Sequence, residues 1–280
     1  MKNFPERLAE RVEKARAATP DATTASASLH SLDLTSLNDD DTPEKIEALT
    51  KKADQGKLGH VAATCVYPKF LRQVFNATAK KDINRATVIN FPSGKGDPAE
   101  TYMAAKTAIY NGANEIDIVL DYDSFLKGDT GTAAALLRAA HKACGKDAKL
   151  KVILESAAFD DYHDLYAAGR LALDCGADFL KTSTGKSAKG GASLEAVATL
   201  LDAIVDSGHK AGLKVSGGVK TVADCAQYIA LAKGMMGESF IAADTFRIGA
   251  SGVLTDILQS LGALPPPVAA PAKPAPAPSY

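Results

Sequence analysis

Short apolar runs of strand length alternate with longer stretches of helical periodicity along most of this chain. Eight of the short runs read in order as strands: SLHSLDLTS, GHVAATCVY, RATVINF, NEIDIVLDY, LKVILES, ADFLKTST, GLKVSGG and DTFRIGAS. Between them lie helical patterns such as TPEKIEALTKKADQ, DPAETYMAAKTAIYNG and SLEAVATLLDAIVDSGHKAG. In the last, Leu194, Val197, Leu200, Leu201, Ile204 and Val205 repeat on one helical face. Several helices open after Asp, Thr or Ser and close at Gly, as capping chemistry prefers; Thr42 is one such start. Uninterrupted strand–helix units predict an α/β chain closed into a (β/α)8 TIM barrel. An open doubly wound sheet is the alternative, because a strand count does not by itself close a barrel. A dinucleotide-binding version lacks its signature, since no GxGxxG joins the first strand to its helix.

The ends depart from this alternation. Residues 1–27 carry Phe4, Leu8, Val12 and Ala15 at helical spacing and read as a short helical extension. With Glu6, Glu10 and Glu13 among the basic residues and no apolar core, the segment does not resemble a targeting signal. The barrel is expected over residues 28–262. Residues 263–280, beginning ALPPPVAAPAK, are Ala/Pro-rich and read as an extended, mobile tail ending at Tyr280.

The polar residues within the apolar runs carry the chemistry. Asp33, Cys65, Asn90, Asp117, Glu155, Lys181 and Lys214 each fall near the end of a different strand. In a barrel those ends converge on one mouth, where active sites are built. Lys181 shares a strand face with Phe179, and Lys214 faces away from Leu213 and Val215. Strand lysines often guard sheet edges, but a closed barrel has no edge. Adjacent strands would bring both ammonium groups into one pocket of low dielectric. A free lysine titrates near ~10.4, so about one in 2,500 is a neutral amine at pH 7; burial and a neighbouring cation both lower that pKa. One lysine as nucleophile and the other as its electrostatic activator is the economical assignment. Asp117 needs a cationic partner and reads as a proton-transfer group or as a structural counter-ion. Lys151 and Glu155 read as supporting network.

Glycines in KTSTGKSAKGG, SGGVK and IGASG leave backbone N–H groups for an anion, with Lys186 and Lys220 adding charge. The TGKS within the first is not a nucleotide-binding loop, because Leu180 stands where that pattern requires glycine. The histidines form no HxH or HExxH pair, which argues against a metal. Lys and Arg total 32 against 33 Asp and Glu, a net charge of -1, so nothing favours nucleic acid or an anionic membrane as partner. Cys65, Cys144, Cys175 and Cys225 are widely spaced and suit a reducing cytoplasm.

The blocks LDLTSLNDDDT, ATCVYPKF, TVINFPSG, EIDIVL, LKVILES, DFLKTSTGK, KVSGGV and FRIGAS, in this order, closely resemble the deoxyribose-phosphate aldolase family. The resemblance implies Lys181 as the Schiff-base lysine, Lys214 as its activating neighbour and Asp117 as the proton-relay acid. It places the substrate phosphate at Gly185, Lys186, Gly217, Gly218, Lys220, Gly249 and Ser251. The implied reaction is reversible cleavage of 2-deoxy-D-ribose 5-phosphate into glyceraldehyde 3-phosphate and acetaldehyde, without a cofactor and compatible with a homo-oligomer. Another Schiff-base barrel and a non-catalytic sugar-phosphate sensor are the rival readings. Val215-Ser216 stands where many members carry Pro-Ala, and Gly252 replaces a common second serine. Tyr280 ends the tail in tyrosine, as some members do, and is a candidate proton shuttle; an ordinary chain end is the alternative.

Overall fold

A computed structural model of the protein describes residues 1–265; Tyr280 and nearly all of the 263–280 tail lie outside the described residues. The strands are β1 (Leu32–Ser36), β2 (Ala63–Val66), β3 (Asn84–Ile89), β4 (Glu115–Val119), β5 (Lys149–Ile153), β6 (Phe179–Lys181), β7 (Gly212–Ser216) and β8 (Phe246–Ala250). They pair in sequence order, all parallel, and β8 returns to β1 with Leu32 opposite Ile248, closing a barrel. The (β/α)8 architecture expected from the alternation is the one observed.

Helices α1 (Glu6–Arg16) and α2 (Ala22–His30) precede the barrel, and α3 (Pro43–Lys51), α4 (Leu71–Thr78) and α5 (Pro98–Tyr110) follow the first three strands. A short α6 (Tyr122–Leu126) then leads into α7 (Thr130–Cys144), followed by α8 (Tyr162–Asp174), α9 (Leu194–Ser207), α10 (Val222–Met236) and α11 (Val253–Ser260). Thr42, Asp97, Asp129, Asp161, Ser193 and Thr221 each accept a backbone N–H at a helix start, satisfying donors that the first turn leaves unpaired. Outward strand residues such as Ile116, Ile118, Val152, Leu180, Leu213 and Val215 join the helices in one continuous core. Among the described residues, no helix is long and apolar enough to cross a membrane.

Local expectations change at three places. Ser28, Leu29 and His30, read as the start of the first strand, are the last turn of α2. Asp21 caps that helix, and Ala25, Ser28 and Leu29 bury one face at helical spacing, so packing overrides the apolar run. Val205 is 52% exposed, because the buried face of α9 turns away before the helix ends. Leu8, Val12 and Ala15 bury one face of α1 at the expected spacing, whereas Phe4, read with them, lies before the helix begins; this helix packs on α9 and α10 outside the barrel.

Inside the barrel, two kinds of residue divide the space. Ala63, Cys65, Ala86 and Val88 on β2 and β3 form a small apolar cluster with Leu37. Their short side chains leave room for the long charged ones that β1 and β4–β8 direct inward.

Candidate active site

Strand period two places Glu115 and Asp117 on the inner face of β4, Phe179 and Lys181 on β6, and Arg247 and Gly249 on β8. Register brings Asp117 beside Lys151, Lys181 beside Lys214, and Lys214 beside Arg247. The side chains meet in the barrel interior. Asp117 Oδ2 lies 2.8 Å from Lys181 Nζ and 2.8 Å from Lys214 Nζ, and its Oδ1 lies 3.1 Å from Lys151 Nζ. Lys214 also reaches Asp33 Oδ2 at 2.5 Å, and Arg247 Nη1 reaches Asp33 Oδ1 at 2.5 Å. Arg247 Nη2 donates to Glu115 Oε1 at 2.7 Å, and Lys151 donates to Glu115 Oε2 at 2.5 Å.

These contacts form a closed ring of ion pairs running Arg247, Asp33, Lys214, Asp117, Lys151, Glu115 and back to Arg247. The ring alternates in sign and is balanced. Lys181 is the additional cation, attached to it through Asp117 alone. All these residues are at most 2% exposed, so every charge without a counter-charge is costly.

The titration of the three lysines follows from this geometry. Burial lowers the pKa of Lys181, and the Lys214 ammonium reinforces burial against the opposing pull of Asp117; the outcome lies below the value of a free lysine. Burial acts on Lys214 too, but Asp117 and Asp33 together hold it well above the ordinary range. Lys151, with Asp117, Glu115 and Asp33 around it, also ends up raised against its burial. Asp117 is desolvated yet held well below the usual carboxylate range by Lys151, Lys181 and Lys214. Of three buried lysines, Lys181 is therefore the one that releases its proton most easily.

Lys181 is also the one that meets open space. A cavity of about 420 Å³ is lined by Lys181, Thr184, Gly185, Lys186, Ser216, Gly217, Gly218, Lys220, Gly249 and Ser251, among others. Asp117, which bonds Lys181, and Lys214, which packs against Gly249, adjoin it. Gly217 and Gly218 adopt φ +87 and +89 in succession, a left-handed pair open to glycine that frees backbone N–H groups for an anion. The first turn of α11 opens at Gly252 with no side-chain cap, so its donors remain available at the same end of the cavity. Gly249 serves a steric purpose as well. A Cβ there would stand 2.9 Å from Lys214 Cε, so the missing side chain makes room for that lysine.

Every expected anion-site residue thus lines the cavity with Lys181, and Asp117 and Lys214 adjoin it. Not all seven polar strand-end residues converge. Asp33, Asp117, Lys181 and Lys214 touch one another, and Cys65 is buried among small apolar residues with burial pushing its thiol pKa up. Asn90 instead donates to Thr101 Oγ1 at 2.9 Å, and Glu155 accepts from the Thr184 hydroxyl. Both have left-handed backbones, with φ 52 and 53, that turn them out of their strands. Ser216, the departure after Lys214, ties β7 to β6 by donating to the Ser183 carbonyl at 2.6 Å. Glu115 and Arg247 are site residues that sequence reasoning alone misses. Each stands two positions before a recognised site residue, where an inward charge in a buried strand demands a partner.

A family model described as DeoC/LacD family aldolase matches residues 27–251. The chain belongs to the DeoC/LacD aldolase family. A deoxyribose-phosphate aldolase of Agrobacterium fabrum is 43% identical over 247 residues, covering 88% of this chain and 95% of the relative. Among solved structures, a provisionally named deoxyribose-phosphate aldolase of Coccidioides immitis superposes with a TM-score of 0.75 at 26% identity, covering 93% of this chain and 99% of that one. The tetrameric deoxyribose phosphate aldolase of Aeropyrum pernix shares the fold, with a TM-score of 0.70 at 24% identity over 92% of this chain and 98% of its own. The ring of charges and its odd lysine therefore occupy the centre of an aldolase-family barrel.

Proposed function

We propose that the protein is a deoxyribose-phosphate aldolase that cleaves 2-deoxy-D-ribose 5-phosphate reversibly into glyceraldehyde 3-phosphate and acetaldehyde through a Schiff base on Lys181. The observation that carries this reading is a buried lysine with a depressed pKa, open to a cavity that is also lined by the glycines and lysines expected to hold an anion. Lys181 Nζ adds to C1 of the open-chain sugar, and loss of water leaves an iminium. The iminium draws the electrons of the C2–C3 bond as the C3 hydroxyl loses its proton, releasing glyceraldehyde 3-phosphate and leaving an enamine. Protonation at C2 and hydrolysis then return acetaldehyde and the free amine. Asp117, bonded through one oxygen to both Lys181 and Lys214, is placed to move these protons. The anion site at Gly185, Lys186, Gly217, Gly218, Lys220, Gly249 and Ser251 receives the 5-phosphate and so fixes which carbon reaches Lys181. Agreement with the Agrobacterium fabrum relative along 88% of the chain supports this substrate. A small-molecule sugar phosphate and acetaldehyde are the partners on this reading, in the cytoplasm and without a cofactor.

The test is cleavage of 2-deoxy-D-ribose 5-phosphate by the purified protein, with both products measured, against synthesis with dihydroxyacetone as alternative donor. Cleavage without use of dihydroxyacetone is expected; the reverse preference points to a different Schiff-base aldolase. Lys220→Ala should raise KM for the phosphorylated sugar about 10–100-fold, the range for losing a charge-assisted hydrogen bond. Its effect on unphosphorylated 2-deoxyribose should be at least tenfold smaller. Equal losses on both sugars would place the phosphate elsewhere.

A further inference from the structure

Arg247 and Glu115 touch neither the cavity nor Lys181, yet both are buried side chains with charge in the middle of an enzyme barrel. Arg247 is fully buried, holds Asp33 at 2.5 Å and Glu115 at 2.7 Å, and lies 5.7 Å from the centre of the Phe179 ring. Phe179 precedes Lys181 on the same inner face of β6, so this guanidinium sits one layer below the reacting amine. A buried cation at this depth is expensive, and an apolar side chain of similar volume often stabilises a core as well or better. Its retention calls for a reason other than packing.

The reason is in the charge count. Without Arg247, the ring would hold three carboxylates and two ammonium groups, and the protonated form of Lys181 would supply the missing positive charge. Without Glu115, it would hold three cations and two carboxylates, and protonated Lys181 would face still more positive charge. With both present, the ring is neutral and Lys181 is in excess. We propose that Arg247 and Glu115 are positioning residues for the aldol reaction, which act on Lys181 in opposite senses through the ring of ion pairs: Arg247 favours the free amine, and Glu115 offsets Arg247 so that the ring is neutral. The assignment rests on the Schiff-base reading of Lys181. The ionisable groups around that amine are Asp33 from β1, Cys65 from β2, Glu115 and Asp117 from β4, Lys151 from β5, Lys214 from β7 and Arg247 from β8, with Lys186 and Lys220 on the loops of the same cavity. β3 faces the interior with Ala86 and Val88 and adds no charge.

The experiment is the rate at which acetaldehyde with cyanoborohydride alkylates the protein, followed by mass from acid to alkaline pH. Peptide mapping restricts the signal to Lys181. Arg247→Met should move the midpoint of this profile up by about one pH unit, the scale for a unit charge removed at this range in a protein interior. Glu115→Gln should move it down, and the double variant Glu115→Gln with Arg247→Met should return it to the wild-type position. Arg247→Lys, which alters shape but keeps charge, should stay near wild type. If Arg247→Met does not fold, the downward shift of Glu115→Gln and its cancellation in the double variant decide the matter. Folded variants with an unchanged midpoint, or a double variant displaced as far as Arg247→Met, overturn the proposal. Wild-type protein that traps nothing at any pH removes the Schiff-base reading itself, and the assignment falls with it.

Discussion

Lys181→Met is expected to lose at least about four orders of magnitude in turnover while melting no lower than the parent protein. The first half follows from covalent catalysis: without a primary amine there is no iminium, and binding and the surrounding charges alone leave only a small residue of rate. The second half follows from the ring. Lys181 is the seventh charge of a buried set whose other six already balance, and it touches a carboxylate only at Asp117 Oδ2, 2.8 Å away. Its folded pKa is depressed, so below the unfolded value near ~10.4 the native state is penalised relative to the unfolded one. Methionine fills similar volume and removes that penalty. A stable, inactive variant would mark Lys181 as a residue kept for chemistry at the expense of stability. A large drop in Tm would assign it a structural role instead.

Asp117→Asn should damage both. Asp117 is the carboxylate shared by Lys151, Lys181 and Lys214, and replacing it leaves buried ammonium groups against an amide. Removing one partner of a buried ion pair typically costs about 3–5 kcal/mol, so cooperative unfolding should occur at clearly lower temperature or denaturant. Turnover should fall by about 10²–10⁴-fold, the usual range for a lost acid–base group. The pH dependence has a definite sign. Asp117 and Asp33 are held below the ordinary carboxylate range in the native state. Their contribution to stability is therefore in force above about pH 4, the unfolded value, and is lost as pH falls through their native values. The wild-type protein should stay folded through mild acid and lose stability only below that point, whereas Asp117→Asn should show a shallower acid dependence. Matching acid-unfolding curves for the two proteins would contradict the assignment.

Much of the site is legible in the sequence because barrel strands obey period two. Lys181 and Lys214 stand out in ADFLKTST and GLKVSGG as charges between apolar neighbours, and the loop glycines at Gly185, Gly217 and Gly218 announce backbone conformations that glycine adopts. The ring is not legible. Its closure depends on the register of β4, β7, β8 and β1, which sets Arg247 beside Lys214 across β7–β8 and Asp33 beside Gly249 across β8–β1. No local pattern in the chain encodes those distances. For the same reason Asn90 and Glu155 share with Asp117 only a strand-end position in the sequence: that position is visible there, but the left-handed backbone that carries both away is not. The start of β1 is ambiguous because Leu29 suits a strand face and a helix face equally, and only Asp21 as cap and the packing of α2 decide between them.

The central claim is that one lysine of the three in the barrel interior is the nucleophile, and borohydride reduction with acetaldehyde tests it most directly. One ethyl group per chain is expected, found by peptide mapping on Lys181 and accompanied by loss of cleavage activity. A label on Lys214, Lys151 or Lys186, or full activity after reduction with no label at all, would contradict it.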